Sequence, residues 1–239
     1  ELTINDPRIS GYTTYKFDNQ ADVFINARHA ARAVGATPMD RPEWGAVNPK
    51  NGEVYFALTN NASALRNLST VDAANPRAFN DLDENGAIVK DSLGREIGGN
   101  PNGHIIRFKE GAQTASTATS FKWDIFLFGA EEATNPATNL SGLTAANDFS
   151  SPDGLWFSQA TGICWIQTDD GAYTDVTNCM LLAAIPGRVG DGGPITVQNS
   201  LGGASGSENT FIGAALGEAR LRRFLVGPKG CEITGMAET

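Results

Sequence analysis

Residues 151–170, SPDGLWFSQATGICWIQTDD, contain two short apolar runs separated by a glycine turn. Residues 41–60, RPEWGAVNPKNGEVYFALTN, repeat this arrangement 110 positions earlier. A proline, an acidic residue and a turn glycine recur at the same offset: Pro42, Glu43 and Gly52 against Pro152, Asp153 and Gly162. Apolar runs of this length, bounded by turn residues, are typical of β-hairpins. The sequence therefore predicts two copies of one hairpin, each entered through a carboxylate.

Similar apolar runs dominate the rest of the chain, and 27 glycines and 11 prolines favour short strands over long helices. We predict strands over residues 12–17, 22–27, 53–59, 103–110, 121–128, 163–168 and 221–226. One helix is predicted over residues 27–35, because this segment is rich in alanine and ends at a glycine. The polar segments are predicted to be long loops: 62–102, 129–150 and 186–209.

An order of strand, connection, acidic residue and strand occurs three times. It leads to Glu43, to Asp153 and, through GPKG after residues 221–226, to Glu232. Repeated four-stranded units are typical of a β-propeller, in which the outer strand of one blade leads to the innermost strand of the next. Because a blade takes about 40–50 residues, the offset corresponds to two blades. We predict an all-β fold, a β-propeller or part of one with a small helical insertion, as a single region over residues 1–239.

The three acidic residues of this pattern would then lie at the starts of innermost strands, which converge on the centre of a propeller. Acidic residues also follow the second hairpin, at Asp169 and Asp170. Unpartnered carboxylates brought together repel one another or become protonated. A hard cation such as calcium or ferric iron, which prefers oxygen ligands, removes that cost. The alternative is that each carboxylate only caps its own turn.

Composition excludes several other classes of protein. An apolar fraction of 41% in 239 residues is typical of a globular chain, and a net charge of −9 argues against a nucleic-acid partner. We expect no membrane span, since no apolar run approaches about 18 residues, and no signal peptide is recognised after Glu1. The three cysteines lack metal-ligand spacing, and two histidines argue against a histidine-rich zinc site.

Six longer segments together resemble the PhoX family of bacterial alkaline phosphatases: MDRPEWGAVNPKNGEVYFALTNN, NPNGHIIRFKE, FKWDIFLFGA, FSSPDGLWF, WIQTD and RRFLVGPKGCEITG. They cover most of the chain in the expected order. The resemblance implies a six-bladed propeller with a mixed site of ferric iron and calcium that hydrolyses small phosphate esters. It also implies export to the periplasm or beyond, a role in phosphate acquisition and a monomeric full-length protein.

The resemblance also implies roles for individual residues. Glu43 in RPEW is similar to an iron ligand, and Asp153 in SPDG and Glu232 in CEITG are similar to calcium or bridging ligands. Glu110 is a further candidate metal ligand, and Arg107 in GHIIRF resembles the guanidinium that binds the substrate phosphate. The alternative for Arg107 is a surface arginine on an edge strand.

Three residues near these motifs have less defined roles. Asn60 and Asn61 follow a hairpin strand, where a role in the turn and a carbonyl contact near the site are both open. Cys231 precedes the acidic residue of CEITG, and we interpret it as a small packed residue.

The sequence departs from the family pattern at both ends. No segment matches the upstream part that supplies a cysteine and an aspartate to the iron pair, and the family continues beyond CEITG. We therefore expect an internal fragment that lacks blades or strands at both ends. Such a fragment is expected to be inactive alone, to hold calcium only or no metal, and to self-associate.

Two other functions are compatible with parts of the pattern. Calcium-dependent propeller lactonases and esterases also begin inner strands with an acidic residue, and SPDGLWF alone could belong to them. A propeller scaffold with structural calcium and no catalysis is the second alternative. The pairing of DRPEW with GHIIRF and CEITG favours the phosphatase.

Overall fold

The computed structural model describes residues 2–62, 65–83, 85–111, 118–131, 137–169 and 178–238. The helices are short: α1 (Pro7–Ser10), α2 (Gln20–Ile25), α3 (Ala27–Ala33) and α4 (Gly217–Arg220). The strands are β1 (Pro42–Val47), β2 (Val54–Leu58), β3 (Phe79–Asn80), β4 (Gly98–Gly99), β5 (His104–Glu110), β6 (Phe121–Phe128), β7 (Pro152–Phe157), β8 (Cys164–Thr168), β9 (Met180–Ala184), β10 (Gly193–Leu201), β11 (Ala204–Ile212) and β12 (Leu221–Val226). The predicted all-β class is confirmed. None of the described helices has the length and apolar character needed to cross a membrane.

The chain divides into two compact units, Glu1–Met39 and Asp40–Thr239, and a single propeller region over residues 1–239 stays a prediction. The first unit is helical around a small apolar core, and the strands predicted there over residues 12–17 and 22–27 are wrong. The side chain of Asn19 accepts a hydrogen bond from the amide of Asp22, which caps α2 and favours helix over strand. The helix predicted over residues 27–35 is confirmed as α3.

The second unit consists of two sheets with the same antiparallel order. In the first sheet β1, β2, β5 and β6 are neighbours, and in the second β7, β8, β9 and β12 are neighbours. The first sheet continues beyond β6 through β11, β10, β3 and β4. The strands predicted over residues 53–59, 103–110, 121–128, 163–168 and 221–226 all occur in these two four-stranded arrangements.

The hairpin repeat is confirmed residue by residue. Pro42 at the start of β1 lies opposite Leu58 of β2, and Pro152 at the start of β7 lies opposite Thr168 of β8. Both pairings contain a register shift after the proline. The offset of 110 residues therefore relates two hairpins that share both their strand pairing and the position of their register shift.

The residues before the two prolines share an unusual backbone. Arg41 and Ser151 have φ angles of 47° and 49°, a left-handed conformation that side chains other than glycine rarely adopt. The carbonyl of Arg41 accepts the amide of Thr59, and the carbonyl of Ser151 accepts the amide of Asp169. Each hairpin is thus closed by a residue in the same left-handed backbone conformation. Backbone strain of this kind is concentrated at functional sites.

One repeat corresponds to one four-stranded sheet, so the prediction of two blades within 110 residues is wrong. Long insertions lengthen each repeat, between β2 and β5 in the first sheet and between β9 and β12 in the second.

The loop predicted over residues 186–209 is wrong in part, because it contains most of the β10–β11 hairpin. Its turn is Gly202–Gly203, with φ angles of 60° and 79°, as a two-residue hairpin turn requires. The described strands do not close into a ring, and a complete propeller stays a prediction.

The main apolar core lies between the two four-stranded sheets. Tyr55 and Ala57 of β2 are fully buried and belong to one cluster with Phe157 of β7 and Ile166 of β8. The ring of Tyr55 meets Phe157 edge-on at 5.0 Å between centroids. Burying side chains of this size stabilises the fold by about 1.5–3 kcal/mol each. This packing places the start of β7 beside the hairpin of β1 and β2.

Candidate metal centre

Three carboxylates converge at the open end of the β7–β8 hairpin. Asp153, Asp169 and Glu232 each offer an oxygen atom, and these three atoms lie within 4.8 Å of one another. Asp153 is the second residue of β7, and Asp169 follows the last residue of β8. Because the strands are antiparallel, the start of one lies beside the end of the other.

Glu232 reaches the same place from a different part of the chain. It lies in the segment after β12, where the amide of Ile233 donates to the carbonyl of Thr168 at 3.4 Å. We predicted a strand after Glu232, and this is wrong, because the described residues beyond Val226 form no strand. The predicted approach of Glu232 to Asp153 is nevertheless present.

The surroundings of Asp153 disfavour its ionised form. Partial burial, the hydrogen bond to Glu232 and the negative charges of Glu232 and Asp169 raise the pKa of Asp153, while the positive charge of Arg41 opposes the rise. A carboxylate in this position either retains a proton or needs a cation. Three carboxylate oxygens fit a hard cation such as calcium or ferric iron.

Arg41 is a cationic side chain whose positive charge acts on Asp153 of this cluster. Its side chain is 60% exposed, and its Nη1 donates to Oδ1 of Asn60 at 2.9 Å. Asn60 in turn donates through Nδ2 to Oγ of Ser151 at 3.3 Å. The two left-handed residues that precede the strand prolines are therefore linked by one asparagine, which holds the guanidinium at this end of the sheets.

Glu43 occupies the position in β1 that Asp153 occupies in β7. Its Oε1 lies 3.7 Å from Nη2 of Arg41, and its side chain is 38% exposed. The group of three converging carboxylates does not include Glu43, and Asp169 takes the third position. The sequence signal for Asp169 is its place after the repeated hairpin, whereas Asp170 lies outside the described residues. A ligand role for Glu43 stays a prediction.

Glu110 lies at the other end of the first sheet. β5 begins at His104, opposite Leu58 at the end of β2, and Glu110 is its last residue. At about 3.3 Å per residue, a seven-residue strand separates its two ends by roughly 20 Å. The contact between Asn60 and Ser151 puts the acidic cluster at the end where β5 begins. The structure therefore does not bring Glu110 to this cluster, and a ligand role for Glu110 stays a prediction.

Arg107 is buried in the first sheet and contacts two carboxylates. Its Nε donates to Asp124 at 2.6 Å and its Nη2 donates to Asp191 at 2.7 Å. The side chain is 1% exposed, and β5 lies between β2 and β6. The alternative of an edge strand is wrong, because β5 is an interior strand, and the side chain is buried; a phosphate-binding role for Arg107 stays a prediction. The guanidinium instead joins β5 and β6 to the loop before β10.

The remaining residues with undefined roles have structural contacts. Asn61 donates through Nδ2 to the buried carboxylate of Asp40 at 2.8 Å, and its backbone pairs with Asn100. Cys231 is half-buried, and its sulfur lies against Gly227, where an added Cβ would be 2.2 Å away. Cys231 therefore packs as a small residue, as we interpreted it.

Comparison with known proteins gives a family. The family model described as alkaline phosphatase PhoX matches residues 3–239. Among solved structures, the chain is similar to Pseudomonas fluorescens PhoX in complex with vanadate, a transition state analogue, with 32% identity and a TM-score of 0.58. That similarity covers 93% of this chain and 31% of the Pseudomonas chain, so this chain spans less than a third of that length. No curated protein matched. The chain belongs to the PhoX family of alkaline phosphatases.

Proposed function

We propose that this chain supplies the cation-binding and phosphate-binding part of a phosphatase that hydrolyses small phosphate esters. The observation that carries the proposal is the convergence of Asp153, Asp169 and Glu232 beside the charge of Arg41. Membership of the PhoX family supports the same reaction. The lactonase alternative has no support from the family match.

The three carboxylates would hold a hard cation, calcium or ferric iron, through their oxygen atoms. When bound, such a cation neutralises phosphoryl oxygens and acts as a Lewis acid. Glu43 is retained as a further candidate ligand, since it occupies the equivalent strand position. Family membership supports the finer proposals of a mixed iron and calcium site, a propeller formed with the rest of a longer protein, and a periplasmic or secreted location.

Arg41 would bind the substrate phosphate in the role that we first assigned to Arg107. Its guanidinium is exposed, and a guanidinium donates planar pairs of hydrogen bonds to phosphate oxygens. Asn60 holds one side of it through Nη1, which limits the rotamers available before a ligand arrives. We propose that the full phosphatase activity needs the longer protein, and that phosphate binding is the part testable on this chain.

Arg41→Ala is therefore expected to raise the dissociation constant of inorganic phosphate for the calcium-loaded chain about tenfold or more, because one charge-assisted contact is lost. Isothermal titration calorimetry measures this constant. Arg41→Lys should lie between the two, since a lysine keeps the charge but loses the planar fork. Arg32→Ala, which removes an exposed arginine of α3, is the control. Equal phosphate affinity in the wild type and Arg41→Ala would reject this role for Arg41.

A further inference from the structure

Asp40 is a fully buried carboxylate at the position before Arg41. Nε and Nη2 of Arg66 lie 2.9 and 2.7 Å from its Oδ1. The side-chain amide of Asn61 donates to Oδ1 at 2.8 Å, and that of Asn100 donates to Oδ2 at 3.1 Å. A carboxylate can be buried only where hydrogen bonds replace its water, and bonds to a charged acceptor are the stronger ones. Three side chains therefore hold Asp40 in one orientation.

The backbone on either side of this carboxylate is fixed as well. The amide of Asp40 donates to Oδ1 of Asn75 at 2.9 Å. Asn61 and Asn100 exchange both backbone hydrogen bonds, at 2.8 and 3.1 Å. Buried hydrogen bonds resist opening, because a lost partner leaves an unsatisfied polar group away from water. We call this set the Asp40 network: Asp40, Asn61, Arg66, Asn75 and Asn100.

The Asp40 network adjoins the arginine that the proposed function assigns to phosphate. Arg41 follows Asp40, and Asn60 precedes Asn61. The same two segments are thus joined twice at neighbouring positions. The bond from Asn61 to Asp40 ends on a fully buried carboxylate, whereas the bond from Arg41 to Asn60 comes from a side chain that is 60% exposed. An exposed arginine has many rotamers, so the outer bond depends on where the inner bond places the two backbones.

The backbone of Arg41 shows why such a support is needed. Its φ angle is 47°, and a left-handed residue other than glycine persists only where its surroundings over-determine it. The carbonyl of Arg41 accepts the amide of Thr59 at 3.2 Å, and the bonds of Asp40 hold the preceding residue. Weakening them should let the backbone relax to a commoner φ angle, which would turn the guanidinium away from Asn60.

We propose that Asp40 and Asn61 are positioning residues for phosphate binding. Their hydrogen bond places Asn60 and the backbone of Arg41 so that the guanidinium is aimed at the phosphate before it arrives. Asp40 acts only through Arg41, because its carboxylate is fully buried and would repel an anion. This inference rests on the proposed role of Arg41 and adds to it the residues that hold the arginine in place.

Asn61→Ala tests the inference, because it removes one donor to Asp40 and leaves Arg66 and Asn100 in place. The dissociation constant of inorganic phosphate for the calcium-loaded chain, measured by isothermal titration calorimetry, should rise at least about threefold. The dissociation constant of calcium should stay within about twofold, since the carboxylates of the cation site belong to the second hairpin and to the segment after β12.

Asn48→Ala is the matched control. Asn48 is also a buried asparagine, 4% exposed, and its Oδ1 accepts the amide of Lys50 in the turn of the same hairpin, at the opposite end from Arg41. This variant should lower the midpoint of thermal unfolding and leave the phosphate constant unchanged. A loss of stability alone would therefore not reproduce the effect of Asn61→Ala.

The double variant Arg41→Ala/Asn61→Ala separates positioning from any other effect. If Asn61 acts through Arg41, the double variant should bind phosphate like Arg41→Ala alone, since the two losses are not additive. Additive losses would overturn the inference and leave the role of Arg41 intact, as would wild-type affinity in Asn61→Ala beside weak binding in Arg41→Ala. Wild-type affinity in both single variants would reject the role of Arg41 and this inference with it. If Asn61→Ala does not fold, Asn61→Ser replaces it in the same comparisons.

Discussion

Replacing Arg107 with alanine should lower the free energy of unfolding by about 3–5 kcal/mol, the cost of leaving buried charge without its partner. Asp124 is 1% exposed, and Asp191 is only 18% exposed. Both would keep their carboxylates in a poorly solvated place with no guanidinium beside them. The loop before β10 should also loosen, since Asp124 additionally accepts the amide of Gly190.

Chemical denaturation at neutral pH measures this change. Arg95→Ala is the matched control, because Arg95 contacts Asp91 with 73% of its side chain exposed, and exposed pairs contribute about 0–1 kcal/mol. Arg107→Lys should fall between alanine and wild type, because it keeps a charge and loses the fork of donors. An Arg107→Ala protein as stable as Arg95→Ala would show that the ion-pair network is not what holds this region.

Acidification should destabilise the fold through His104, by about 3 kcal/mol between neutral pH and pH 4. The ring is fully buried: Nε2 donates to the carbonyl of Ala74 at 2.8 Å and Nδ1 accepts from Asn100 at 3.1 Å. Both nitrogens are therefore satisfied only by the neutral ring. Burial first, and then the positive charges of Arg77 and Arg66, lower its pKa from 6.5 to about 4, although Asp40 opposes this.

The sign of the effect follows from that direction. Since the pKa is lower in the folded protein than in the unfolded chain, the unfolded chain binds more protons between about pH 6.5 and pH 4. The stabilising contribution of His104 is thus complete above pH 6.5 and is lost as the pH falls towards 4. Urea unfolding at several pH values measures it.

A variant without a titrating ring isolates this contribution from that of the carboxylates. His104→Gln should reduce stability at neutral pH and flatten the pH dependence between pH 6.5 and 4. His29→Gln, which removes the other histidine, should leave the pH dependence steep. Identical pH profiles for wild type and His104→Gln would contradict a neutral His104 in the fold.

The parts of the fold that were predictable from sequence are local. The β1–β2 and β7–β8 hairpins follow from apolar runs on either side of a turn glycine, and both occur at the predicted places. The β10–β11 hairpin was missed because polar residues alternate through it and its glycines resemble a loop. Residues 22–25 have an apolar pattern too short to distinguish strand from helix, and the cap at Asn19 decides for helix.

The candidate site was predictable only where the repeat defines a position. Asp153 follows directly from the repeat, and Glu232 followed from the recurring order of strand and acid. The partners of Arg107 did not, because Asp191 lies 84 residues away and no local pattern joins them. Arg41 was missed as a candidate phosphate-binding residue for a similar reason. Its position at the site depends on a left-handed backbone and on the hydrogen bond to Asn60, and no local sequence pattern indicates either.

Calcium titration of the chelator-treated chain tests the central claim most directly. We expect one calcium ion per chain by isothermal titration calorimetry, with a dissociation constant on the order of 10⁻⁴–10⁻³ M for an exposed site of few carboxylates. Asp153→Asn should weaken this binding at least about tenfold, because it removes one of three charged ligands. Asp18→Asn, which makes the same charge change outside the cluster, should bind calcium like the wild type. Equal calcium binding by Asp153→Asn and wild type, or no binding by either, would contradict a cation site at Asp153, Asp169 and Glu232.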